Sequence, residues 1–176
     1  MKPVKPLAAF LVLFVLHQSL SEVGADLIAE TCAKTTNPDL CATSLRSDPR
    51  GASAKDAKAL THIMYDLVLS NSKDTLAQVQ KLLGGSPDPG LTSSLTICKS
   101  GYDSIVSDKI PNALKNLDSS SYVTATSLMS DAMFLAQICE RTLSTGPAVP
   151  KSPLADENTK VINLSDIAMR LTASLG

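Results

Sequence analysis

Apolar residues recur at three- and four-residue steps along most of the chain, which is the pattern of amphipathic α-helices. The first long segment begins at Ser53, whose hydroxyl is suited to capping a helix, and Asp56 follows in the first turn. It ends at the glycine- and proline-rich residues 84–90, which predict a loop. The inward positions of this helix are Ala57, Leu60, Ile63, Met64, Leu67, Leu76, Val79 and Leu82.

Three further helical segments follow, over residues 91–117, 121–143 and 156–175. Within the first of them Pro111 lacks an N–H and its ring crowds the preceding turn, so we expect a kink or a short break near Lys109. Residues 146–153 are rich in proline and predict a second loop. The inward positions are Leu91, Leu95, Cys98, Tyr102, Ile105, Val106, Ala113, Leu114 and Leu117, then Tyr122, Ala125, Leu128, Met129, Ala132, Leu135 and Cys139, and finally Val161, Ile162, Leu164, Ile167, Ala168 and Leu171.

Two shorter helices, over residues 26–30 and 39–46, flank a turn signal at Asn37-Pro38. Short connections make neighbouring helices antiparallel, so four long amphipathic segments favour an up-down-up-down bundle. The composition agrees, because aromatic residues are scarce and tryptophan is absent, whereas β-sheets favour aromatic and β-branched residues. We therefore predict an all-α fold, a four-helix bundle preceded by an N-terminal helical hairpin.

The first 25 residues have the order of a secretory signal peptide. Lys2 and Lys5 form the positive start, residues 7–16 are a continuous apolar run, and Val23-Gly24-Ala25 is a small-residue cleavage pattern. The run is shorter than the roughly 20 residues that span a bilayer. A buried core helix is the alternative interpretation. The prediction is a signal peptide over residues 1–25 and one helical domain over 26–176, in an oxidising compartment.

Four cysteines follow this segment: Cys32, Cys41, Cys98 and Cys139. Four cysteines allow three pairings, and sequence alone does not normally decide among them. The first two are equidistant from the turn at residues 36–37, and the last two from the polar residues 118–119, so each pair is placed opposite in an antiparallel hairpin. We predict those two disulfides. Free buried thiols and zinc ligands are the alternatives, although the spacings do not match common zinc sites.

Charge and motifs indicate a binding protein rather than an enzyme. Lysine and arginine number 16 against 17 acidic residues, with no basic patch, so no nucleic-acid or anionic-membrane partner is predicted. His62 is the one histidine after residue 25 and has no evident catalytic partner. The sequence has no glycine-rich phosphate loop, no HExxH and no GxSxG motif, and we predict neither a cofactor nor a metal.

Asn163-Leu164-Ser165 is an N-glycosylation sequon. It falls within the last predicted helix, with Leu164 facing inward. The sequon goes unused if that helix forms before the oligosaccharide is transferred, so occupancy is left open.

The cysteine motifs resemble those of the plant invertase and pectin methylesterase inhibitors. The segment Thr31-Cys32-Ala33-Lys34-Thr35-Thr36-Asn37-Pro38-Asp39-Leu40-Cys41 is similar to the N-terminal motif of that family. Cys98 followed by Tyr102, the segment 136–140 around the fourth cysteine, and residues 164–168 continue the likeness. The resemblance covers essentially the whole chain after residue 25 and is closest to the pollen-type members.

The resemblance implies a four-helix bundle with a helical hairpin and disulfides that join the first cysteine to the second and the third to the fourth. It also implies a function without catalysis. A member forms a one-to-one complex with a secreted carbohydrate-active enzyme, covers its active-site cleft and excludes the substrate.

One short region of the sequence decides which enzyme is the expected target. Invertase inhibitors of the cell-wall type often carry Pro-Lys-Phe near the start of the third bundle helix, where this chain has Ser120-Ser121-Tyr122. This departure favours pectin methylesterase as the target, with a cell-wall or vacuolar acid invertase as the alternative. The expected location is the cell wall (apoplast), with the vacuole as the alternative. A carrier of a small apolar ligand and a secreted binding protein without inhibitory activity are hypotheses of another class.

Overall fold

The computed structural model describes residues 27–145 and 152–176; the predicted signal peptide lies outside them. Residues 27–32 form a short helix, α1, and Pro38–Ser47 form α2. Asn37 caps α2, since its side chain accepts a hydrogen bond of 3.1 Å from the Leu40 N–H. The Cys32–Cys41 disulfide closes this hairpin with a Cα–Cα distance of 5.6 Å. Thr36 beside the turn hydrogen-bonds to Asp166, which ties the hairpin to the last helix.

Five further α-helices follow in the described chain: α3 at Ala57–Gly84, α4 at Pro89–Ser104, α5 at Ile110–Asp118, α6 at Tyr122–Ser144 and α7 at Ala155–Ala173. A π-helical segment, Ile105–Lys109, joins α4 to α5 as one continuous rod. The described residues contain helices and turns but no strand, so the predicted all-α fold is confirmed.

The rod formed by α4 and α5 runs antiparallel to α6. Cys98 on α4 is bonded to Cys139 on α6, whereas Lys109, further along the same rod, pairs with Asp131, earlier on α6, at 3.2 Å. The Cys98–Cys139 disulfide is fully buried, with a Cα–Cα distance of 4.6 Å. The two predicted pairings are therefore both present in the structure.

The predicted break near Lys109 takes the form of the π-helical segment. There the Ile110 N–H bonds to the Ile105 carbonyl, five residues back, instead of four. Pro111 lies in the first turn of α5, directly after this widened turn. The wider turn accommodates the missing N–H and the bulk of the ring without interrupting the rod.

The start of α3 differs from the prediction. Ser53 belongs to a 3₁₀ turn, Gly51–Ser53, and its hydroxyl bonds back to the Arg50 carbonyl at 3.1 Å. Asp56 is the N-cap instead, accepting a 2.8 Å hydrogen bond from the Ala59 N–H. The cap prediction for Ser53 was wrong, because the chain leaves α2 through the 3₁₀ turn before α3 can begin.

The core lies along the helix faces that the apolar periodicity predicts. Residues with at most 1% exposure from each rod include Leu60, Met64, Leu95, Ile105, Met129, Leu143, Leu164 and Leu171. Several predicted inward leucines, among them Leu67, Leu76 and Leu128, are only half-buried at the margin of this core. The bundle therefore packs with a slightly narrower apolar stripe than the sequence predicts.

A polar network joins α4, α6 and α7, from the buried Tyr102 and Asn158 to the half-buried Glu140. The Tyr102 hydroxyl donates to Asn158 Oδ1 at 2.6 Å, and Asn158 Nδ2 donates to Glu140 Oε2 at 2.8 Å. The same carboxylate accepts from Ser152 at 2.8 Å and from Ser144 at 2.7 Å. The network fixes the start of α7 against α6.

Candidate target-binding site at the α5–α6 turn

The region singled out from the sequence is the turn between α5 and α6. The Ser121 N–H bonds to the Asn116 carbonyl at 2.8 Å, and the Ser120 N–H bonds to the Leu117 carbonyl at 3.0 Å. These two bonds form a Schellman motif, which ends a helix by satisfying its last carbonyls. Ser120 takes the left-handed position of the motif with φ of 60°. The turn is thus a fixed shape rather than a loose connection.

Side chains hold this turn against α3. Lys58 Nζ donates to the Asp118 carbonyl at 2.9 Å and to Ser120 Oγ at 3.1 Å. The Tyr122 hydroxyl also reaches Ser120 Oγ, at 3.3 Å. Ser120 and Ser121 are exposed, whereas Tyr122 is half-buried and its ring lies against Gly176. Tyr122 therefore supports the turn and presents little of its own surface.

Alternating charges surround the turn. His62 on α3 places Nε2 3.7 Å from Asp118 Oδ1 and Nδ1 3.4 Å from Asp66 Oδ2. Arg50 bonds to the same Asp66 at 2.6 Å and to Asp48 at 2.7 Å. The hydrogen bonds from Arg50 hold the pKa of the Asp48 carboxyl below its ordinary value, and the pKa of Arg50 is raised in turn. His62 lies at the surface between Asp66 and Asp118.

Apolar side chains on α6 continue outward from the turn. Val123 is 83% exposed and Phe134 55% exposed. They lie about three helical turns apart on one face of α6, with Ser127 and Ser130 between them. Neither residue was predicted from the sequence as part of the site, although both lie off the inward stripe of α6, which indicates an outward position. The turn and this face together form the candidate target-binding site.

Ile97 on α4 is 45% exposed and is the third large apolar side chain that is exposed in the described part of the chain. It lies on another rod, near the level of the buried disulfide, because its neighbour Cys98 is joined to Cys139. It is therefore distant from the α5–α6 turn.

The predicted sequon falls on α7. Asn163 is exposed and Leu164 is buried, as predicted. Ser165 is fully buried, and its hydroxyl has no hydrogen-bond partner. The structure thus separates the two residues that define the sequon onto different sides of the helix.

Other surface features offer little for chemistry. A shallow depression between α3 and α7 is lined by polar side chains, including Asp74, Gln78 and Lys160, and is unsuited to an apolar ligand. Among the described residues, no group of three His, Cys, Asp or Glu side chains is arranged to hold a metal ion. None of the described helices is long and apolar enough to cross a membrane.

The sequence profile of the family described as "Plant invertase/pectin methylesterase inhibitor" matches residues 26–171. The chain belongs to this family. As a plant invertase/pectin methylesterase inhibitor family member, it is similar to a pectinesterase inhibitor of Actinidia deliciosa, with 33% identity over 81% of this chain and 76% of the relative. It is also similar to the "Putative invertase inhibitor" of Platanus orientalis, with 28% identity over 88% of this chain and 92% of the relative.

A crystal structure of a mutant form of a pectin methylesterase inhibitor from Arabidopsis shares the fold. The TM-score is 0.71 at 23% identity, over 83% of this chain and 95% of the other. Members of the invertase/pectin methylesterase inhibitor family inhibit enzymes and are not themselves enzymes, so the prediction of a non-catalytic protein is confirmed. The relatives include a cell wall or vacuolar inhibitor of fructosidase from Arabidopsis thaliana.

Proposed function

We propose that this protein is a secreted inhibitor of a plant pectin methylesterase, which it binds one-to-one so that the active-site cleft is covered. The observation that carries the choice of target is the 33% identity with a pectinesterase inhibitor. The residues Ser120-Ser121-Tyr122, in place of the Pro-Lys-Phe often found in invertase inhibitors, support the same choice. The apolar N-terminal segment and the two disulfides support secretion into the cell wall.

The candidate target-binding site supplies a surface suited to this role. Phe134 and Val123 provide apolar anchors of the kind that carry most of the binding energy in protein interfaces. The charged groups around the α5–α6 turn would form a polar rim at one end of that surface. A rigid turn and a rigid helix lose little conformational freedom on binding, which favours tight association. Inhibition then needs no reactive group, because an occupied cleft excludes the substrate.

A titration of the oxidised protein against a plant pectin methylesterase and a plant acid invertase, both at mildly acidic pH, tests the target. The proposal expects inhibition of the pectin methylesterase at a stoichiometry of one to one. Absence of inhibition and of complex formation with the pectin methylesterase would refute it.

The surface is tested by Val123→Asp and Phe134→Asp, each expected to weaken inhibition by about 30-fold or more, the effect of losing an interface hot spot. Ile97→Asp is the matched control for Val123→Asp, since it makes the same change at an exposed apolar residue far from the α5–α6 turn. If Ile97→Asp weakened inhibition as much as Val123→Asp, the end of α6 beside the turn would not be the contact surface.

An acid invertase is the second candidate target. A relative from Arabidopsis thaliana is a cell wall or vacuolar inhibitor of fructosidase, with 29% identity over 65% of this chain and 54% of the relative. Inhibition of the invertase alone in the paired titration would establish this alternative and would show that the serine-rich turn can replace Pro-Lys-Phe.

A further inference from the structure

We propose that Asn163 is an N-glycosylation site that is modified before α7 packs onto the bundle, so that the folded protein carries an oligosaccharide on the outer face of α7. The inference rests on the secretory route in the proposed function, and it is independent of which enzyme is the target.

The folded chain can carry the sugar at Asn163 without disturbance. The side chain is exposed, and no hydrogen bond or ion pair involves it in the described structure. Thr159 and Lys160, one turn earlier on α7, are exposed as well. A glycan on the Asn163 amide would therefore extend into solvent and displace no packing contact.

The folded chain cannot, however, be the form that is modified. A sequon is recognised through both its asparagine and its hydroxyl residue, and Ser165 is fully buried in α7. Two residues that are two positions apart project about 200° apart on a helix but to the same side of an extended chain. Only the extended, undocked segment can present Asn163 and Ser165 together.

The Ser165 hydroxyl is buried without a role in the hydrogen bonding of the described fold. It is the one buried side-chain polar atom without a hydrogen-bond partner in the described residues. A buried hydroxyl without a hydrogen-bond partner lowers the stability of the fold, and an alanine at this position would avoid that loss. No hydrogen bond within the described residues uses this hydroxyl, whereas the sequon requires it.

The glycan is transferred to Asn163 from a lipid diphosphate-linked oligosaccharide, which is the co-reactant. The Asn163 side-chain nitrogen forms a bond to the anomeric carbon of the first sugar. The bond from that carbon to the diphosphate oxygen breaks and the lipid diphosphate leaves with the electron pair. The amide nitrogen gives up one proton to a base of the transferase.

The site is tested by expressing the full chain in plant cells and measuring its mass before and after treatment with a peptide N-glycanase. Wild type is expected to lose the mass of one glycan, and both Asn163→Gln and Ser165→Ala should lack it. Ser165→Thr should keep it. Wild-type protein without a glycan would overturn the proposal.

Ser165→Ala also tests whether the Ser165 hydroxyl contributes to the stability of the fold. Because its hydroxyl is unpaired, the variant should melt at the same temperature as unglycosylated wild type or higher. A clear drop in melting temperature would show that the hydroxyl serves the fold after all.

The timing is tested in a microsomal transfer reaction, using bacterially produced protein either oxidised and folded or reduced, alkylated and unfolded. At least tenfold more glycan should be transferred to the unfolded form. Equal transfer to both forms would contradict the proposed order. Inhibition of pectin methylesterase by the same bacterial protein tests the proposed function separately, since that protein has no glycan.

Discussion

Tyr102 on α4 and Asn158 on α7 are joined by a hydrogen bond of 2.6 Å between two side chains that have no exposure to solvent. Tyr102→Phe leaves Asn158 Oδ1 buried without a donor, so we expect the free energy of unfolding to fall by about 1–3 kcal/mol. Urea unfolding of the variant measures this loss.

Tyr65→Phe is the matched control for that prediction. The Tyr65 hydroxyl bonds to Thr172 at 2.9 Å, but the Thr172 hydroxyl also donates to the Ala168 carbonyl at 2.8 Å. Thr172 therefore keeps a partner when Tyr65 loses its hydroxyl. A larger loss of stability in Tyr65→Phe than in Tyr102→Phe would show that the buried network matters less than its geometry indicates.

Glu140 should make stability depend on pH. Burial alone would raise the pKa of this carboxyl, but hydrogen bonds from Asn158, Ser144 and Ser152 hold its pKa below the ordinary value of 4.5. A carboxyl with a depressed folded-state pKa contributes its full stability above about pH 4.5 and loses it as the pH falls through the folded-state value.

Glu140→Gln should therefore unfold more easily than wild type at pH 7, by about 1–2 kcal/mol for the lost charge-assisted hydrogen bonds. This difference in the free energy of unfolding should narrow steadily below pH 4. Glu30→Gln, at an exposed position on α1, is the control and should leave stability nearly unchanged. Chemical unfolding at a series of pH values provides the comparison, and a gap that stays constant down to pH 3 would contradict the assignment.

The two disulfides should differ in what they contribute. Cys98 and Cys139 are 41 residues apart, whereas Cys32 and Cys41 are 9 residues apart. Chain entropy then predicts a loss of about 4 kcal/mol on replacing the first pair with alanine and about 2.5 kcal/mol for the second. Thermal and denaturant unfolding of the two double variants measure the order, and a greater loss for the hairpin pair would reverse our expectation.

The N-cap of α3 gives a prediction with its control three residues away. Asp56→Ala removes the acceptor for the Ala59 N–H and should cost about 1 kcal/mol. Ser53→Ala should stay within about 0.5 kcal/mol, because its hydroxyl bonds only to the Arg50 carbonyl in a surface turn. Equal costs for the two variants would mean that the start of α3 is shared between them.

The helices and the disulfide pairing could be predicted from the sequence because both depend on local spacing. Apolar residues at helical steps identify each rod, and equal distances from a turn place two cysteines opposite each other. The start of α3 could not be predicted in this way, since Ser53 and Asp56 are both competent caps. Gly51 decides between them: a side chain there would collide with the Leu45 carbonyl, so the 3₁₀ turn crosses the end of α2 at close range.

The candidate target-binding site was located only in part. The sequence placed Ser120 and Ser121 near the start of the third bundle helix, where the structure has an exposed turn. Its apolar stripe put Tyr122 inward and left Val123 and Phe134 outside, as the structure has them, but the stripe alone did not show that these two residues share an exposed apolar face. The network of Tyr102, Asn158 and Glu140 could not be predicted from the sequence either, because its members lie far apart in the chain.

The π-helical segment before Pro111 has a bearing on how this chain can vary in length. A π turn inside an α-helix is equivalent to one inserted residue whose extra rotation is absorbed locally. Leu95 and Tyr102 before the segment, and Ala113 and Leu117 after it, all remain buried. Deletion of a single residue between Ile105 and Lys109 would thus restore the register of a regular helix with the same inward faces on both sides. It would also remove the wide turn that accommodates Pro111, so the rod should tolerate the deletion only when Pro111 is replaced as well.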